Sequence, residues 1–279
     1  MRNCLNCGAE LNGAFCGACG QRTVPADPTV SELAGDAWQE LSGYDGRLVA
    51  TFRGLLHPGQ LTIDYLQGRR ARYLSPMRVY LTVSVIYFLL AASAPIISTQ
   101  SGDVVNNGGL RVELKGNDGV VLTAADRAEL VKSLETAPWF VRGFLTAVAE
   151  DPLGLRGRLF TIMPRVFFGL LPVFAGIVAL FYRRRRFPTA LVFAVHVHAF
   201  AFLIFSLSEA AKFTKSPVVM AVVGVTSAIV FMLYVLATLR AVFGGRWPMT
   251  IAKAIGIGFV YSLAAVPAFF MMLIWASLV

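Results

Sequence analysis

The chain has 279 residues, of which 56% are hydrophobic and only 15% charged. Soluble domains carry roughly a quarter charged residues, so this composition excludes an ordinary soluble fold and points to a lipid bilayer. The formal net charge of +9 does not form a face for phosphates: residues 1–76 and residues 98–165 are each neutral. The surplus sits at Arg78, Arg183, Arg184, Arg185, Arg186, Arg240, Arg246 and Lys253, with one further charge from Glu209, Lys212 and Lys215. Those positions flank apolar segments, where basic residues set membrane orientation; no nucleic-acid partner is expected.

The N-terminus reads CLNCGAELNGAFCGACG, two Cys-x-x-Cys-Gly units. Cys4, Cys7, Cys16 and Cys19 are the only cysteines in the chain. The first 30 residues hold no apolar stretch of the kind a secretory signal needs, so this segment is expected to stay on the reducing side of the membrane, where clustered pairs read as a metal site rather than a disulfide frame. Each pair bends two thiolates toward one ion, and Gly8 and Gly20 suit the positive-φ end of such turns. Four thiolates complete a tetrahedral shell with no position left for substrate, the pattern of structural zinc. Leu5, Leu11 and Phe15 alone cannot supply a core, so the metal is expected to supply the folding energy of this ribbon.

After a polar joint, Asp27-Pro28 suits a helix start, and apolar residues at helical spacing predict an amphipathic helix over 28–42. A second short helix is expected over 47–56, stopped by Pro58-Gly59. These helices are expected on the inner membrane surface or packed under the bundle. The stretch PGQLTIDYLQGRRARYLSPMRVYL follows. In it Tyr65, Tyr73 and Tyr80 are interleaved with Arg69, Arg70, Arg72 and Arg78, which are candidate contacts for an anion or a lipid headgroup.

Five apolar segments are long enough to span, at about 76–97, 166–182, 187–207, 218–239 and 250–278; a span needs roughly 20 residues. The second is short unless it begins near Leu159. Placing the three basic clusters in the cytoplasm gives an alternating path with the N-terminus inside, the 98–165 segment outside and the C-terminus outside. Trp247 and Trp275 mark opposite ends of the last span. Within 98–165, two alternating runs around Asn117-Asp118-Gly119 predict a β-hairpin. Thr123 caps an expected helix over 124–136, and residues 138–145 are amphipathic.

His196 and His198 lie about ten residues into the third span, and His57 is the only other histidine. Imidazoles at that depth usually face the bundle interior, which makes the pair a candidate polar site. Residues i and i+2 of a helix point roughly 200° apart, so the two rings do not share one metal readily. Hydrogen bonds to Ser84, Tyr87, Ser206 or Tyr261 would satisfy them without any further role. No nucleotide-binding glycine loop, serine elbow or His-Glu-x-x-His helix is present, and no catalytic residue is assigned.

The cysteine pairs, the PGQLTIDYLQGRRARYLSPMRVYL stretch and MPRVFFGLLPVFAGIVALFYRRRRFPTALVFAVHVHAF together resemble a bacterial membrane family known as domain of unknown function 3667. The resemblance implies a zinc ribbon followed by about five spans and supplies no activity. It also implies a Glu-His pair where this chain has Thr189 and Ala190, a departure that removes a possible third histidine and weakens a metal or haem reading of the third span.

The expectation is an α-helical integral membrane protein with about five transmembrane helices, a small N-terminal zinc ribbon and a small α+β extracytoplasmic segment. Its parts are a ribbon at 1–24, juxtamembrane helices at 25–75 and a membrane domain at 76–279 with an outer insertion at 98–165. The expected role is a docking or scaffold module of the bacterial inner membrane, whose cytoplasmic ribbon contacts a protein or lipid partner. The alternatives are a transporter or channel-like bundle lined by the intramembrane histidines and, third, a membrane-bound enzyme.

Overall fold

A computed structural model describes residues 3–21, 23, 47–93, 112–114, 120–122, 132, 138–150 and 152–278. The helix expected over 28–42, most of the helix expected over 124–136 and the hairpin turn at 117–119 lie outside the described residues.

The juxtamembrane stretch folds as two short helices, α1 (Leu48–Leu56) and α2 (Gln60–Leu66). The first matches the expected helix over 47–56, and the second was not foreseen. Pro58 and Gly59 make the corner between them. Gly59 takes φ +80°, and a Cβ there would sit 2.9 Å from that of Ala241, so the corner needs glycine both for its backbone and for close approach to a neighbouring helix.

Five long helices follow: α3 (Pro76–Ser93), α5 (Pro152–Phe181), α6 (Phe187–Ala211), α7 (Pro217–Phe243) and α8 (Trp247–Leu278). All five are long and apolar enough to cross a membrane. The second span is no longer marginal, because its helix starts at Pro152 and runs through Pro164 and Pro172. Between α3 and α5 lie a two-stranded antiparallel hairpin, β1 (Val112–Leu114) with β2 (Val120–Leu122), and the helix α4 (Trp139–Glu150). The hairpin pairs Val112 with Leu122 and Leu114 with Val120, as the alternating runs predict. Lipid is as apolar as a leucine side chain, so helices in a bilayer associate through close packing rather than the hydrophobic effect. That favours small residues and fitted aromatic rings.

Helix α6 is the centre of the bundle. Phe193, Ala194 and Ala199 on it are fully buried. The ring of Phe202 meets Tyr80, Tyr87, Phe88 and Phe167 at centroid distances of 5.6, 5.2, 5.6 and 5.7 Å. Each such aromatic pair contributes roughly 0.5–1.5 kcal/mol beyond area. At one end, Arg156 of α5 donates to the carbonyls of Ala91 and Ala92 at 3.2 Å, satisfying groups left open at the C-terminal end of α3. At the other end, Tyr182 stacks on Phe243 at 4.3 Å, which joins the α5–α6 and α7–α8 connections.

The ring contacts also fix a stagger. Tyr80 is in the second turn of α3, yet it meets Phe202, fifteen residues into the parallel α6. Tyr87 and Phe88, two turns further along α3, meet the same ring, so at 1.5 Å per residue α3 begins roughly 5–16 Å further along the bundle than α6. Helices α1 and α2 fill the step this leaves. Leu55, Leu61, Thr62 and Tyr65 are buried there against α6 and α7. The juxtamembrane segment is therefore part of the bundle rather than a pair of helices resting on the lipid surface.

Candidate metal head and the polar step it docks on

The two cysteine pairs fold as copies of one turn. Cys4 donates to the Ala9 carbonyl at 2.8 Å and Gly8 to Cys4 at 2.9 Å; Cys16 donates to Gln21 at 2.8 Å and Gly20 to Cys16 at 2.8 Å. Gly8 and Gly20 have φ of +78° and +70°, as each turn requires. The four sulfurs lie within 4.8 Å of one another, with Cys4 to Cys19 and Cys7 to Cys16 both at 3.6 Å. Sulfurs at about 2.3 Å around a tetrahedral metal stand roughly 3.8 Å apart, so the set fits a single ion and all four cysteines can hold it.

The electrostatics prepare for that ion. The backbone amides of Cys7 and Asn6 draw Cys4 down to about 6, and those of Cys19 and Ala18 lower Cys16. The Ala9 amide pulls Cys7 the same way, but the neighbouring Cys19, burial, and the Cys16 and Cys4 sulfurs push it up to about 12. Cys4 and Cys16 are thus disposed toward the thiolate form, and a cation offsets the cost of ionising Cys7 beside them. Leu5 and Phe15 do not form a core for the head: they are 48% and 63% exposed.

What the head touches is the step. The Gln21 side chain is buried and makes three hydrogen bonds to one turn of the juxtamembrane segment. Its Nε2 donates to the Gly68 carbonyl at 2.5 Å, and its Oε1 accepts from the amides of Arg70 at 3.1 Å and Ala71 at 3.0 Å. Gly68 takes φ +83°, and a Cβ there would lie 2.5 Å from Leu5, whose side chain covers this glycine.

Behind that turn lies a buried polar cluster. Asp64 on α2 is 7% exposed; it accepts from the Arg69 guanidinium and from the Tyr73 hydroxyl, the latter at 2.8 Å. Burial, then the hydrogen bond to the Asp64 carboxylate, raise the Tyr73 phenol. Gln60 donates to the same hydroxyl at 3.4 Å. Thr51 accepts from the Leu74 amide at 2.9 Å, fastening α1 to the end of the loop.

The arginines proposed from sequence as anion contacts are placed within this structure. Arg69 pairs with Asp64, the Arg70 guanidinium lies 4.6 Å from the Tyr65 ring centroid, and that of Arg72 lies 5.7 Å from the Tyr73 centroid. Arg78 is in the first turn of α3, its amide donating to the Ser75 hydroxyl at 3.4 Å. Tyr65 and Tyr73 are partners for the arginines, whereas Tyr80 packs on Phe202 within the bundle.

The intramembrane histidines part company, as their spacing requires. His196 Nδ1 meets the Thr62 hydroxyl of α2 at 2.9 Å, a bond from the step to the bundle's central helix. His198 Nδ1 donates to the Ala194 carbonyl at 2.8 Å, and its Nε2 faces the Tyr261 hydroxyl at 3.4 Å. Tyr261 was among the partners foreseen; Thr62 was not. Gln21 and Asp64 were also missed, although one signal was available: Asp64 is the only carboxylate between Asp45 and Asp103, in a stretch with four nearby arginines.

Fold and site together define a multi-pass membrane protein whose four-cysteine, metal-binding head is seated on a helical step of its own bundle. The model of a family described as protein of unknown function (DUF3667) matches residues 45–88, a stretch that contains α1, α2, the Gly68 turn and the first two-thirds of α3. The family resemblance is shown on that stretch. No curated protein and no solved structure matches the chain.

Proposed function

We propose that this protein is a docking or scaffold module of the bacterial inner membrane, with zinc in its cysteine head and the head on the cytoplasmic side. The observation that carries the reading is the three-bond seat of Gln21 on the Gly68 turn. A head held this way presents its outer face at a fixed position against the bundle, so a partner bound there is located relative to the membrane domain. Phe15, 63% exposed on a head that does not use it as core, is the anchor offered to a protein partner. The chemistry of four thiolates favours zinc. The basic clusters at one end of the bundle support a cytoplasmic head through the positive-inside rule.

The test is photo-crosslinking from position 15 of the full-length chain in membranes. A crosslinked product of defined mass is expected, lost in the Cys4→Ser/Cys16→Ser variant while the spans remain inserted. A product unchanged by that variant, or by stripping the metal, would overturn the reading. Metal analysis of the same samples should give one zinc per chain in the wild type and none in the variant. Structural zinc supplies roughly 10–16 kcal/mol to small ribbons, so the head is expected to unfold without it. The transporter alternative has less support, because His196 and His198 are both hydrogen-bonded within the bundle.

A further inference from the structure

At the end of the bundle where Tyr182 stacks on Phe243, a cavity of about 610 Å³ opens between the end of α5 and the start of α8. Arg183, Arg184, Arg185 and Lys253 line it. No carboxylate lines it, and among the described residues none of these four cations pairs with one. Arg183, Arg184 and Arg185 are exposed, so the cavity presents accessible positive charge that suits an anion.

The wall of the cavity is held in place by Tyr182. Tyr182 also lines the cavity and is 9% exposed, yet its hydroxyl has no hydrogen-bond partner among the described residues. Buried hydroxyls in native proteins nearly always have one. The ring cannot turn away to find it: one face is stacked on Phe243, and Lys253 Nζ lies 4.2 Å from its centroid. The loop opposite is Gly244-Gly245, at φ +74° and +108°, which brings bare backbone to the cavity wall, and the 32-residue α8 begins just beyond it with the positive end of its dipole on this side. On the flank, Leu180 and Met249 line the same cavity and are 52% and 59% exposed.

We propose that this cavity is a binding site for the phosphate of an anionic phospholipid, held by Arg183, Arg184, Arg185 and Lys253. Arginine suits the role because its planar fork bonds two phosphate oxygens at once. The apolar flank distinguishes a lipid from a soluble phosphate, since it gives the tails a surface to follow. The site is separate from the metal head and does not depend on the docking reading.

The experiment uses the full-length protein, purified in a zwitterionic detergent and loaded with phosphatidylglycerol or phosphatidylcholine, with retained lipid read by native mass spectrometry. Retention of phosphatidylglycerol over phosphatidylcholine is expected. It should fall about 10-fold in Arg184→Gln/Lys253→Gln, since each cation near a membrane surface contributes on the order of a few-fold. The charge-keeping Arg184→Lys/Lys253→Arg variant should retain most of the preference, and it carries the test if the glutamine variant does not fold. Equal retention of the two lipids, or an unchanged preference in Arg184→Gln/Lys253→Gln, would overturn the site. Inorganic phosphate at millimolar concentration displacing the lipid from wild type would overturn the lipid as its ligand.

Discussion

Two arginine-rich stretches look alike in the sequence and behave differently in the fold. Arg69, Arg70 and Arg72 precede the first span, and Arg183, Arg184 and Arg185 precede the third. Either run reads as a juxtamembrane anchor. In the first, a carboxylate and two tyrosine rings from the same short segment take up the cations, so the charge becomes part of the packing. In the second, the chain turns directly from α5 into α6, no carboxylate among the described residues lines the space beside them, and the cations are left facing a cavity. The difference teaches that charge next to a membrane span is not a function in itself. What the neighbouring turn supplies decides whether an arginine holds the fold together or waits for something outside it.

The comparison can be broken most severely at Asp64. Asp64→Ala strands Arg69 and removes the acceptor of Tyr73 in one change. Losing one member of a buried pair costs about 3–5 kcal/mol, but Arg69 is partly exposed, so about 2 kcal/mol is expected, read as a lower melting temperature in detergent. If the variant melts like wild type, the first stretch is an anchor after all, no different from the second.

A smaller loss is expected from Thr62→Val, which keeps the shape and leaves His196 Nδ1 without its partner. An unsatisfied buried group costs roughly 1–3 kcal/mol, and amide exchange in α2 should speed up. Gly68→Ala comes next. It strains a φ of +83° by about 1 kcal/mol and drives a methyl into Leu5, so the head should lose its seat and Gln21 its protection from proteolysis nearby, while the bundle melts almost unchanged. At the bottom of the scale, Arg183→Gln/Arg185→Gln should change bundle stability by less than about 0.5 kcal/mol, because among the described residues neither side chain pairs with a carboxylate. A large loss there would mean that the second stretch is structural like the first.

Much of the architecture is legible residue by residue. The spacing of Cys4, Cys7, Cys16 and Cys19 already implies a four-sulfur shell, because a Cys-x-x-Cys turn leaves its two thiols few other directions. The apolar runs give five spans because backbone groups in lipid must be satisfied within the helix. The i, i+2 spacing of His196 and His198 separates the rings before any fold is known. The seat of the head was not legible: Gln21 is a polar residue in a polar joint, and nothing local connects it with Gly68, 47 residues away. Nor was the step, since α2 is seven residues long and carries too little periodicity to distinguish a wedge in the bundle from a loop beneath it.

The sequence by itself therefore determined the local chemistry: which sulfurs meet, which segments cross, and which rings cannot share a ligand. Those outcomes follow from covalent spacing and from the solvent a segment can tolerate. Only the tertiary structure decided where the head sits, that α3 starts further along the bundle than α6, and which arginines are spent on a carboxylate and which face a cavity. Those depend on contacts between residues tens of positions apart, and in a bilayer such contacts are chosen by the fit of one helix against another rather than by hydrophobicity, the property that is easiest to read in a sequence.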